Sequence, residues 1–178
     1  MVMNYTNLIK NSVLMVLPVA DFNEQEYLVS RKALESAGIK IFIASENGGV
    51  CVGAHSKRVS ADINFINMKE GNFGGIVLIG GFGVKKYWNN VQLYQICRQF
   101  ASAKKTVGAI CSAVVVLARC GLLTGLTVSC YPDDIQEIEK EDVKCSDEGV
   151  SVNKNIITAQ GPTFAGDFIQ YFIEKFKK

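Results

Sequence analysis

The chain has 178 residues, 48% of them hydrophobic and 20% charged, with a formal net charge of +2. That length suits one domain with a sizeable core, residues 1–178, and the scattered Lys and Arg give no electrostatic footprint for nucleic acid or an anionic membrane. No stretch reaches the roughly 18–20 apolar residues of a membrane span, and the polar start MVMNYTNLIKNS lacks the apolar block of a signal peptide, so retention in the cytoplasm is expected.

Val13–Leu17, VLMVL, is a continuous apolar run and predicts a strand buried on both faces, ended by Pro18. The next stretch predicts a loop and a helix, with Asn23 as cap, Glu24 and Glu26 at the positive helix start, and Gly38 as stop. Ile39–Ala44 is a second strand, and the mixed residues 46–67 predict a small β excursion. Ile76–Ile79 is a third buried strand, followed by GGFG. In Val91–Ser102, Leu93, Cys97, Phe100 and Ala101 share one helical face. Thr106–Ile110 is a fourth strand, and Ser112–Cys120, apolar nearly all round, predicts an interior helix. Leu126–Cys130 reads as a strand, Asp133–Glu141 as a polar helix, and Gly149–Asn153 and Ile156–Ala159 as strands around an NKN turn. The last helix carries Phe164, Phe168, Phe172 and Phe176 at i+4 spacing, with Ile169 and Ile173. Its Lys175, Lys177 and Lys178 suit the negative helix end, and the Lys85–Lys86 pair reads as solvated surface.

Alternating strands and helices predict an α/β sandwich around a largely parallel sheet, in which sites form at the carboxyl ends of strands. Three features fall there: the Glu24/Glu26 loop, Gly80–Gly81 and Cys111. Cys111 sits on a strand-to-helix corner between small neighbours. It reads either as packing or as a nucleophile whose thiolate the helix start favours. Glu24 and Glu26 each read either as a dipole-complementing carboxylate or as the group that reaches the thiol. Gly80–Gly81 is a tight turn or a source of backbone N–H groups for an oxyanion. The other cysteines, 51, 97, 120, 130 and 145, read as packing or surface thiols. With no CxxC pair and one histidine, His55, read as a surface residue, no zinc site is expected. Neither a phosphate loop nor a dinucleotide fingerprint is present.

The blocks VLPVADFNEQEY, AGIKIFIAS, IVLIGGFG, YWNN, GAICSAVVVLARCGLLTG and IITAQGP, in this order, resemble the ThiJ/PfpI superfamily over nearly the whole chain. The resemblance implies a flavodoxin-like three-layer α/β sandwich with a nucleophile elbow, and a homodimer or larger homo-oligomer. It implies Cys111 as the nucleophile, Glu26 as the carboxyl group at its sulfur, and the Gly81 and Ser112 N–H groups as oxyanion donors. The sequence departs from that pattern at both histidine positions, which hold Ser112 and Tyr131. A phenol is a weak base near neutrality, with an ordinary pKa of about 10. The resemblance implies attack on small reactive carbonyls without glutathione or cofactor. The alternatives are an oxidative-stress sensor or chaperone-like protein, and third a cysteine peptidase or amidase.

Overall fold

The computed structural model describes residues 11–178; the reading of the polar start, for residues 1–10, lies outside them. Strand β1 (Ser12–Val16) and the short β2 (Ala20–Phe22) precede helix α1 (Glu24–Ser36). β3 (Lys40–Ser45) is followed by β4 (Gly49–Gly53), β5 (Arg58–Ala61) and β6 (Ile63–Asn64). β7 (Gly75–Leu78) leads through a 3-10 segment, Phe82–Tyr87, to α2 (Val91–Ser102). β8 (Thr106–Ile110) passes through a 3-10 turn, Cys111–Ala113, into α3 (Val114–Arg119). Then come β9 (Thr127–Val128), α4 (Ile135–Glu139), β10 (Lys144–Cys145), β11 (Val150–Asn153), β12 (Ile156–Ala159) and α5 (Ala165–Phe176).

The main sheet runs β11-β12-β8-β7-β1-β3-β6. Its pairings are parallel except that of β11 with β12. Apart from the two-residue β6 at the edge, the parallel strands β3, β1, β7, β8 and β12 stand second, first, third, fourth and fifth among themselves along the chain, the flavodoxin-like winding. β1 shows why its sequence is uninterruptedly apolar. Leu14 and Val16 pack with Leu93, Phe100 and Val114 on one face, while Val13, Met15 and Leu17 pack with Tyr27, Leu34, Phe168 and Phe172 on the other. Each such fully buried side chain contributes about 1.5–3 kcal/mol. The register sets Val16 beside Leu78 and Leu78 beside Ala109, so the loops after β1, β7 and β8 emerge together at one edge of the sheet.

Four expectations are corrected. Leu126–Cys130 gives only the two-residue β9, which pairs with β10 in a separate ladder because β12 and β11 fill the edge beyond β8. Ala20–Phe22, expected as loop, is a strand, since the β4–β5 hairpin offers an edge to pair with. The polar helix opens as a 3-10 turn, Pro132–Asp134, and becomes α-helical at Ile135. The interior helix likewise begins as the 3-10 turn Cys111–Ala113, so α3 proper has six residues.

Candidate active site

β8 delivers Cys111 to the carboxyl edge of the sheet, where its φ is +60°. That left-handed conformation costs an L-residue about 1–2 kcal/mol, and it lets the chain turn from strand to helix within one residue, the geometry of a nucleophile elbow. The corner is held from outside: Trp88 Nε1 donates to the Ser112 carbonyl at 2.8 Å. Two cations approach the Trp88 ring, with Lys85 Nζ 4.8 Å and Arg119 Cζ 5.3 Å from its centre.

The Asn23 side chain caps α1 by accepting the Glu26 N–H at 3.1 Å, and one turn of helix then aims the Glu26 carboxyl across the strand ends. Glu26 is fully buried. Its Oε2 accepts the Gly80 N–H at 2.9 Å, whereas its Oε1 is buried with no hydrogen-bond partner. Burial raises the Glu26 carboxyl to about 7, with the Gly80 N–H and the Cys111 side chain pulling it part of the way back. Gly80 permits this meeting. A Cβ there would stand 2.7 Å from the Cys111 Cβ and 2.9 Å from Glu26 Oε2. Glu24 does something else: its Oε1 accepts the His55 and Lys57 N–H groups, each at 2.8 Å, and so fixes the β4–β5 turn.

The sequence suggests a thiolate at the helix start. The structure reverses that expectation: burial, then the neighbouring Glu26 charge, push the Cys111 thiol up to about 12. The backbone N–H groups of Ser112 and Gly81 face the sulfur and oppose the rise without overcoming it. The helix start adds little against burial and the Glu26 charge, because a 3-10 turn followed by six helical residues offers little aligned dipole. Between about 7 and about 12 the Glu26–Cys111 pair therefore holds a single proton. Gly81 is in a conformation only glycine takes easily, at φ +107°, and a Cβ on it would lie 2.4 Å from the Asp21 carbonyl oxygen.

Cys111 opens onto a cleft of about 410 Å³ lined by Asn23, Gly81, Phe82, Lys85, Ser112, Tyr131, Asp133 and Pro162. Tyr131 is thus brought to the site, whereas His55 is exposed in the β4–β5 turn. A side-chain carbon on Gly161 would stand 3.9 Å from the Tyr131 ring and 4.0 Å from the Cys111 sulfur. Lys85 is a second correction. It is not a free surface lysine but a cleft residue paired with the buried Asp134 at 3.0 Å. Sequence reasoning missed Lys85, Asp134 and Trp88; the YWNN block was the available signal for the last of these.

The model of the DJ-1/PfpI family matches residues 11–175. The chain is 35% identical to protein MJ0967 of Methanocaldococcus jannaschii over 162 residues, covering 89% of this chain and 79% of that one. It is 26% identical to the deglycase PH1704 of Pyrococcus horikoshii, over 90% of this chain and 97% of the other. The crystal structure of a ThiJ/PfpI domain protein from Brachyspira murdochii superposes with a TM-score of 0.91 at 29% identity, covering 94% of this chain and 96% of that one.

Proposed function

Because the chain belongs to the DJ-1/PfpI family, we propose that it acts on small reactive carbonyls such as methylglyoxal, with Cys111 as nucleophile and Glu26 as acid and base. One observation carries this reading: a strained cysteine at the floor of an open cleft meets a fully buried carboxyl group held near 7. A general base works best when its pKa lies near the working pH. Glu26 thereby supplies what the two absent histidines would have supplied.

In the first step the thiol proton passes to Glu26 as the sulfur bonds to the aldehyde carbon, and the carbonyl oxygen becomes the oxyanion of a hemithioacetal. The N–H groups of Gly81 and Ser112 receive that charge. Glu26 hands the thiol proton to the neighbouring ketone oxygen and, ionised again, carries the proton of the former aldehyde carbon to that neighbouring carbon, leaving the thioester of the 2-hydroxy acid. Water releases the acid and restores the thiol, so the net change is addition of one water to the ketoaldehyde. No cofactor takes part in any step. Tyr131, Lys85 and Phe82 line the substrate's approach. The same reading takes residues 1–178 as one domain of a cytoplasmic homodimer. Among the described residues no helix is long and apolar enough to cross a membrane.

A second reading rests on the unpartnered Glu26 Oε1, in a carboxyl group that interacts with the Cys111 side chain. In a protonated carboxyl group that oxygen can donate to an oxygen added to Cys111, which fits an oxidation sensor without turnover. The experiment is lactate formation from methylglyoxal by the purified protein and its Cys111→Ser variant. Catalytic turnover lost in the variant supports the enzyme. Stoichiometric oxidation of Cys111 by peroxide, with no lactate formed, supports the sensor.

A further inference from the structure

One pair of sulfurs near the Cys111 cleft has no part in that chemistry. Cys130 Sγ and Cys145 Sγ are in contact at 3.4 Å, and both are free thiols. The contact follows from the small ladder. β9 and β10 run parallel with Val128 beside Cys145, and the chain then carries Cys130 two residues past Val128. We infer that Cys130 and Cys145 form a redox-active dithiol, which a peroxide closes to a disulfide and a thiol reductant reopens.

Three observations carry this. First, a bonded pair of sulfurs stands about 2.05 Å apart, so closure asks for an approach of about 1.4 Å from the observed contact. Side-chain rotation in a short ladder near the surface can supply it. Second, the pair has a way in. Cys145 is half-buried and lines a surface cleft of about 420 Å³ with Glu139, Asp142, Val143 and Lys144. Third, the other cysteines lack this arrangement. Cys51 and Cys97 are wholly buried, and Cys120 spends its S–H on the Leu117 carbonyl at 3.3 Å.

The reaction balances with hydrogen peroxide as the two-electron oxidant. Cys145, the more accessible sulfur, attacks one peroxide oxygen, and the O–O bond breaks. Cys145 becomes a sulfenic acid, and the displaced hydroxide leaves as water with the thiol proton. Cys130 then attacks the Cys145 sulfur, the S–S bond forms, and the S–O bond breaks. The second hydroxide takes the Cys130 proton, so two thiols and one peroxide give one disulfide and two waters. The bond closes one residue before Tyr131, on the segment that forms one wall of the Cys111 cleft.

The test is peroxide titration of the folded full chain, followed by alkylation in denaturant and tryptic mass spectrometry. Cleavage after Lys140 and Lys144 puts the two cysteines on separate peptides. Fragmentation of the linked species tells Cys130 from Cys120, which shares its peptide. The expected result is loss of the Cys130 and Cys145 free thiols in step, with one linked species that dithiothreitol abolishes. It persists in Cys111→Ser, because no step passes through Cys111, and it is lost in Cys145→Ser protein whose circular dichroism matches the parent. Recovery of Cys130 and Cys145 as separately alkylated or separately oxidised residues would overturn the inference. So would a link that requires Cys111, or equal linkage to Cys51, Cys97 or Cys120.

Discussion

Replacing Glu26 by Gln removes a titration that the fold should feel. In the folded chain the carboxyl group loses its proton at about 7, against an ordinary value of 4.5. Below 4.5 both folded and unfolded chains are protonated and the group contributes no bias. Between 4.5 and about 7 the folded chain keeps a proton that the unfolded chain releases, so rising pH favours unfolding. At about 1.4 kcal/mol per pH unit, the interval amounts to about 3 kcal/mol of stability lost between those two values. Gln keeps an oxygen for the Gly80 N–H but leaves a buried amide N–H₂ unmatched, at a pH-independent cost of about 1–3 kcal/mol. The slopes, not the absolute stabilities, therefore carry the information. Urea unfolding of the two proteins from pH 4.5 to 8 should give a wild-type curve that falls by about 3 kcal/mol relative to Glu26→Gln. Parallel curves would refute the claim that Glu26 is the buried, raised carboxyl group.

Cys111 holds a left-handed conformation, so Cys111→Gly should be more stable than Cys111→Ala by about 1 kcal/mol, the reverse of their usual order. Thermal unfolding checks this, and an Ala variant at least as stable would show the elbow unstrained. Gly81→Ala forces a Cβ to 2.4 Å from a carbonyl oxygen at φ +107° and should cost about 3 kcal/mol or more; a change near zero in chemical denaturation would contradict it. Light scattering over a concentration series should give a homodimer or larger closed assembly, and a monomer at every concentration would remove that part of the proposal.

The residues that read correctly are those whose environment is written locally. Val13–Leu17 is apolar throughout because both faces of β1 are covered, and α2 keeps its expected bounds because its apolar face and the change at its end are both local. The Cys111 corner is legible from its small neighbours and its place between a strand and an apolar helix. What was not legible depends on distant partners. Glu24 and Glu26 look alike in a helix start. Only the rotation of α1 against the sheet turns one toward Gly80 and the other toward the His55 turn. Lys85 looks like solvent-facing charge until Asp134, 49 residues on, folds against it. The thiol itself was misjudged because a helix start was weighed without the burial and the carboxyl group that oppose it. The Cys130–Cys145 contact needs the β9–β10 pairing, which two-residue strands do not announce.

The account stands most directly on the pH profile of kcat/KM for methylglyoxal, measured for the wild type beside Glu26→Gln. If Glu26 takes the thiol proton as Cys111 attacks, the ionised carboxylate is the active form. The wild-type rate should then rise with pH through about 7 and level off above it. Glu26→Gln should lose that inflection together with about 10²–10⁴-fold in rate. An inflection near 7 that survives in Glu26→Gln at an undiminished rate would contradict the account.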